Sequence, residues 1–109
     1  MKYKEIKPAI YNVQAWIEET NPARLYTTLT AMLQESKHTI LEHVAHHFPI
    51  QGYTCLWLLG ESHLAVHTFP DSGRSYVELS GCNEAMSQRF AQLFSKEWHT
   101  TEPLEVRRI

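Results

Sequence analysis

Two cysteines, Cys55 and Cys82, are too few to staple a 109-residue chain with disulfides, and free thiols fit a reducing compartment. Long hydrophobic runs are also missing. The longest unbroken one, Cys55 to Leu59, falls far short of a membrane span. Basic residues are in no excess: ten Lys and Arg against twelve Asp and Glu leave a net charge of -2. That balance offers no field to recruit nucleic acid or anionic lipid. The N-terminus, Met1 to Pro8, is charged and lacks the apolar centre of a secretory signal. No linker or low-complexity stretch interrupts the chain, so residues 1–109 read as one domain. These absences leave a small soluble domain, expected in the cytoplasm, without nucleic acid or membrane as its partner.

What is present is an ordinary globular balance, 43% hydrophobic and 20% charged. A core of this size is marginal alone, so oligomerisation is expected. Residues 9–18 are rich in β-favouring types and read as a first strand. Asn21-Pro22 is a helix start, with Asn as the cap and Pro where a missing N–H costs nothing. Leu25, Leu29, Met32 and Leu33 then recur at the spacing of a helix buried on one face, fading near 36–38. Residues 39–48, 53–60, 63–69 and 74–80 read as strands, punctuated by Pro49 and Gly52, by Gly60, and by Pro70-Asp71-Ser72-Gly73. A second helix begins near Asn83, with Met86, Phe90, Leu93 and Phe94 as its stripe, and a short strand over 104–107 follows Pro103. The order β-α-β-β-β-β-α-β predicts an α+β two-layer sandwich: a mainly antiparallel sheet with both helices on one face. Trp16, Tyr53 and Trp57 are the candidates to line the uncovered face.

Seven histidines invite a metal reading. On a helix, His43, His46 and His47 would share a face. The strand reading turns His46 away from the other two, no Cys-x-x-Cys accompanies them, and no metal is expected. Ser62 stands at a strand break with His63 and His67 one and five residues on. A serine needs a base to become a nucleophile, but no third member or Gly-x-Ser-x-Gly elbow is present. On spacing alone, a hairpin turn leading into a strand with His63, Ala65 and His67 on one face is the favoured reading.

The segment Glu61-Ser62-His63-Leu64, then His67-Thr68, Pro70, an acidic residue, Gly73 and a distal Cys82, resembles the prokaryotic S-adenosylmethionine decarboxylases. The resemblance covers roughly residues 46–98, including Phe48 and Gln51-Gly52, and the short bacterial form matches in length and element order. It implies a self-processing pyruvoyl enzyme. The Ser62 hydroxyl would attack the Glu61 carbonyl, and elimination would leave a β chain, 1–61, and an α chain, 62–109, headed by a covalent pyruvoyl group. That group is an electron sink for decarboxylation. By similarity His67 is the processing base, Cys82 the proton donor in turnover, and Thr54 stands where a Ser usually supports the ester intermediate. Phe48 matches an adenine-stacking position and Asp71 a ribose-binding Glu. Cys55 reads as core.

Departures are also present. Phe69 replaces a usual Trp, and Glu5-Ile6-Lys7-Pro8 and Val13-Gln14-Ala15-Trp16 replace a Gly-Arg-His and a Gly-Cys pair. Three readings follow: a decarboxylase of S-adenosylmethionine supplying the aminopropyl donor for spermidine; one of the same mechanism acting on ornithine or arginine; and a non-cleaving structural or regulatory relative. Family precedent adds a homodimer whose active sites share residues.

Overall fold

A computed structural model describes residues 8–99 and 104–109. The elements run β1 (Tyr11–Ile17), α1 (Pro22–Glu35), β2 (Ile40–His47), β3 (Tyr53–Leu59), β4 (Ser62–Phe69), β5 (Arg74–Gly81), α2 (Glu84–Trp98) and β6 (Val106–Arg108). A single 3-10 turn, Pro70–Ser72, joins β4 to β5. The six strands form one sheet ordered β2-β3-β4-β5-β1-β6, every neighbouring pair antiparallel. The expected order and two-layer architecture are both found. The last strand lies slightly later than expected, and its preceding Pro103 falls outside the described residues, as do Met1–Lys7.

Both helix starts form as their cap residues dictate. The Asn21 side chain accepts from the Arg24 amide at 3.0 Å, and that of Asn83 from the Met86 amide at 2.9 Å. Helix α1 ends at Ser36, whose buried hydroxyl donates to the Met32 carbonyl at 2.8 Å and is hydrogen-bonded with His38 Nδ1 at 2.8 Å. The predicted stripe Leu25, Leu29, Met32 and Leu33 is buried against the sheet. In α2 the most buried positions are Ser87, Phe90, Ala91 and Phe94 rather than Met86 and Leu93. A small residue is buried at position 87 because α2 sits tight on the end of β5: a Cβ at Gly81 would collide with Ser87 Oγ.

One expectation is corrected. Tyr53 and Trp57 belong to the core under the helices, and Trp57 is fully buried with its indole N–H donated to Thr30 Oγ1 of α1 at 3.0 Å. Strand β3 is apolar on both faces, so its sequence hid which set of alternate residues points inward. Trp16 does stand on the uncovered face, as do Val44 and Leu58, all large apolar side chains about half exposed. Among the described residues no helix is long and apolar enough to cross a membrane.

Candidate functional site

The antiparallel hairpins sort the predicted site residues to two ends of the sheet. At one end, β3 turns into β4 through Gly60 and Glu61, and β5 delivers Gly81-Cys82 beside that turn. Cys82 is exposed, and its thiol lies 3.7 Å from a Glu61 carboxylate oxygen. The tight Gly81–Ser87 contact fixes where β5 stops, and therefore where Cys82 stands. Ser62 opens β4, partly exposed, its hydroxyl 3.5 Å from the Gly60 carbonyl. Within the turn, the left-handed backbone falls on Glu61 (φ 61°) and not on Gly60. A non-glycine residue held there stores roughly 1–2 kcal/mol, immediately before the bond expected to break. His63 pairs with Ser80 on the uncovered face.

At the opposite end, register carries one row across five strands: Trp16, Tyr76, His67, Thr54 and His46. The Thr54 hydroxyl and His67 Nδ1 are hydrogen-bonded at 3.0 Å. Burial pushes the Tyr76 hydroxyl above its ordinary pKa, and the Glu78 carboxylate adds to the shift. Trp16 packs against Tyr76 and Phe69, ring centroids 5.3 and 5.6 Å away, with the Arg74 guanidinium 4.5 Å over its ring. Phe48 leans edge-on against His46 at 4.8 Å. Below this row the 3-10 turn and the β2–β3 hairpin tip enclose a cleft of about 300 Å³ lined by Gln51, Gly52, Thr68, Phe69, Pro70 and Asp71. Asp71 Oδ1 accepts a hydrogen bond from the Gln51 side-chain amide.

The structure thus brings Cys82 to Glu61 beside Ser62, and at the other end pairs Thr54 with His67, with Phe48 on His46 and Asp71 on Gln51. It does not bring Ser62 to His67. Five residues of strand separate them, ~16 Å, and odd spacing points them to opposite faces. The histidines weighed as metal ligands are dispersed: His43 packs between Tyr26 and Trp57, His46 on Phe48, and His47 on Tyr53. Cys55 is core, its thiol pushed up to about 11 by burial, which makes it a poor nucleophile. The reading of the sequence assigned no role to Gln51. Its signal was a polar side chain on a hairpin tip adjacent to the turn that carries Asp71.

A sequence profile described as S-adenosylmethionine decarboxylase matches residues 10–107, nearly the whole chain. The chain belongs to this family. Among curated relatives, an S-adenosylmethionine decarboxylase proenzyme of Prochlorococcus marinus (strain MIT 9313) is 37% identical over 76 residues, 69% of this chain and 61% of that one. One of Parasynechococcus marenigrum (strain WH8102) is 38% identical over 72 residues, 61% of this chain and 56% of that one. The matches therefore span only about three-fifths of those relatives' length. The crystal structure of the adenosylmethionine decarboxylase from Aquifex aeolicus vf5 superposes with a TM-score of 0.71 at 15% identity, over 95% of this chain and 91% of that one. At that identity the likeness concerns the fold, and it agrees with the decarboxylase family's two-layer architecture found here.

Proposed function

We propose that this chain is a proenzyme that cleaves itself between Glu61 and Ser62 and then decarboxylates S-adenosylmethionine, giving the aminopropyl donor for spermidine synthesis. Family membership supports the reaction class. The observation that carries the reading is the pair of preassembled clusters, Cys82 against Glu61 and Thr54 bonded to His67. Thr54 and Asp71 stand in for the usual Ser and Glu, and the two sets at opposite ends of the sheet call for a second copy to unite them.

In processing, Ser62 Oγ forms a bond to the Glu61 carbonyl carbon as the amide bond opens. His67 takes the hydroxyl proton, its ring oriented by Thr54, and the departing Ser62 nitrogen gains a proton as it becomes a free amine. Loss of the Ser62 α-proton then expels the Glu61 carboxylate, and water displaces the nitrogen as ammonia, leaving chains 1–61 and 62–109. The left-handed Glu61 favours the forward direction because cleavage frees its backbone. Ser62 fits this chemistry: its hydroxyl is part-exposed and held by nothing stronger than the 3.5 Å contact to Gly60. The pyruvoyl group so formed supplies an electron sink for loss of carbon dioxide. Cys82 is the proton donor to the decarboxylated carbon. Phe48 offers a half-exposed ring to stack on adenine, and Asp71 offers a carboxylate to the ribose hydroxyls.

The separation of Ser62 from His67 within one chain supports a homodimer as the functional unit. A two-fold axis that stacks the uncovered sheet faces in opposite directions sets the Thr54–His67 end of one copy over the Glu61–Cys82 end of the other, and Ser62, the terminal residue of its strand, has to turn from the covered face toward the partner copy to complete the site. It also buries Trp16, Val44 and Leu58. Two free cysteines, one of them this donor, suit the cytoplasm. The test is release of labelled carbon dioxide from carboxyl-labelled S-adenosylmethionine by the purified protein, absent in Ser62→Ala. Release from ornithine or arginine instead would transfer the mechanism to another substrate, and release by Ser62→Ala would end it.

A further inference from the structure

Two loop tips meet at the Asp71 end of the sheet, and one side chain ties them together. The β2–β3 tip is closed by the Phe48 amide donating to the Gly52 carbonyl at 3.0 Å, with Gly52 at φ 105°, a conformation only glycine holds without strain. The β4–β5 tip is the 3-10 turn ending at Gly73, whose amide donates to Pro70 at 3.0 Å. Between them the Gln51 amide donates to Asp71 Oδ1.

We propose that Gln51 is a positioning residue for the decarboxylase. It holds the Asp71 carboxylate so that the remaining oxygen faces the cleft and receives the ribose hydroxyls of the substrate. The inference rests on the function proposed above and extends it to a residue with no assigned role. Asp71 sits where the family resemblance puts a Glu, so its carboxylate has one methylene less reach. It also stands exposed on a three-residue turn, where a lone Asp side chain rotates freely. A carboxylate offers about four lone-pair directions, and Gln51 occupies one. The amide is neutral, so it fixes direction without cancelling the charge that the substrate's donors need. A Lys or Arg there would do both. The same tip carries Phe48, whose ring lies against Gly52: a Cβ added there would stand 3.6 Å from Phe48 Cδ2. One rigid hairpin tip thus sets both the stacking ring and, through Gln51, the carboxylate.

Steady-state kinetics on S-adenosylmethionine, with the processed protein, test this. Gln51→Ala is expected to raise KM ~5-fold, the loss of one exposed charge-assisted hydrogen bond, and to change kcat by less than about 2-fold. The extent of self-cleavage and the melting temperature stay at the wild-type values. Gln51→Glu raises KM further, because it sets a second negative charge against Asp71. In an Asp71→Ala background, Gln51→Ala adds nothing, since its role passes through the carboxylate. An unchanged or lowered KM in Gln51→Ala would overturn the inference, as would an equal rise in the Asp71→Ala background, which marks a general effect on the hairpin. A wild-type protein that turns over no S-adenosylmethionine would instead refute the function reading, and this inference with it.

Discussion

Mixing two inactive variants should restore cleavage. Ser62→Ala removes the proposed nucleophile, and His67→Ala removes the proposed base, which is bonded to Thr54. Each alone is expected to remain a single uncleaved chain. Within one copy the two groups stand ~16 Å apart on opposite faces of β4, several times the reach of a proton transfer. A shared site across a two-fold axis pairs Ser62 of one copy with His67 of the other. A heterodimer of the two variants then contains one site missing both groups and one that is intact. Random association of equal amounts makes roughly half of the dimers mixed, so roughly half of the His67→Ala chains, and a quarter of all chains, should be cut. The variants are co-refolded with distinguishable tags and read by intact mass, which identifies the cut chain as the one bearing His67→Ala. A mixture that stays uncleaved while mixed dimers are present would refute the shared site. Cleavage of His67→Ala alone at the wild-type rate would refute the role of His67.

Cys82→Ala should still cleave itself but turn over ~10²-fold more slowly, as expected when a positioned acid is removed; equal kcat would take Cys82 out of the mechanism. Glu61→Gly, made in a Ser62→Ala background so that no chain is cut, relieves the left-handed strain and should raise the melting temperature by a few degrees, on the order of 0.5–1 kcal/mol after glycine's extra chain entropy. A fall would show that the Glu61 side chain contributes more than its backbone costs. For pH, burial lowers the affinity of His38 and His43 for protons. Above the ordinary histidine value of 6.5 both rings are neutral folded and unfolded, and contribute nothing. As pH falls through 6.5 the unfolded chain takes the protons first, so stability declines from there down to the lowered folded values. Melting temperatures at pH 7.5 and 5 check this, and His43→Gln should flatten part of the slope; a fold more stable at pH 5 would contradict the sign.

The parts of the fold that were legible in the sequence were those with local causes. Asn21 and Asn83 cap their helices through their own side chains, and Gly60 and Gly73 mark turns that no neighbouring element has to impose. Strand β3 was not legible in the same way. Its Cys55-to-Leu59 run is apolar on both faces, so only the packing of Trp57 under Thr30 reveals which side is inside. In α2, the burial of Ser87 over Met86 follows from close contact at Gly81, a tertiary fact without a local signal. The candidate site residues were named one by one, Glu61, Ser62 and His67 from a motif within residues 61–68 and Phe48, Thr54, Asp71 and Cys82 from positions matched outside it. What a contiguous motif conceals is that a spacing of five along a strand divides its members between two faces. That parity was available in the sequence, but the separation of Ser62 from His67 that it produces needs the sheet to be seen.

The most direct test of the central claim is a denaturing intact-mass spectrum of the purified protein before and after borohydride reduction. Self-processing predicts two chains, 1–61 and 62–109, with only the second gaining the mass of H2 as its N-terminal ketone is reduced. A single full-length chain that persists on prolonged incubation, or two chains neither of which reacts, would contradict it.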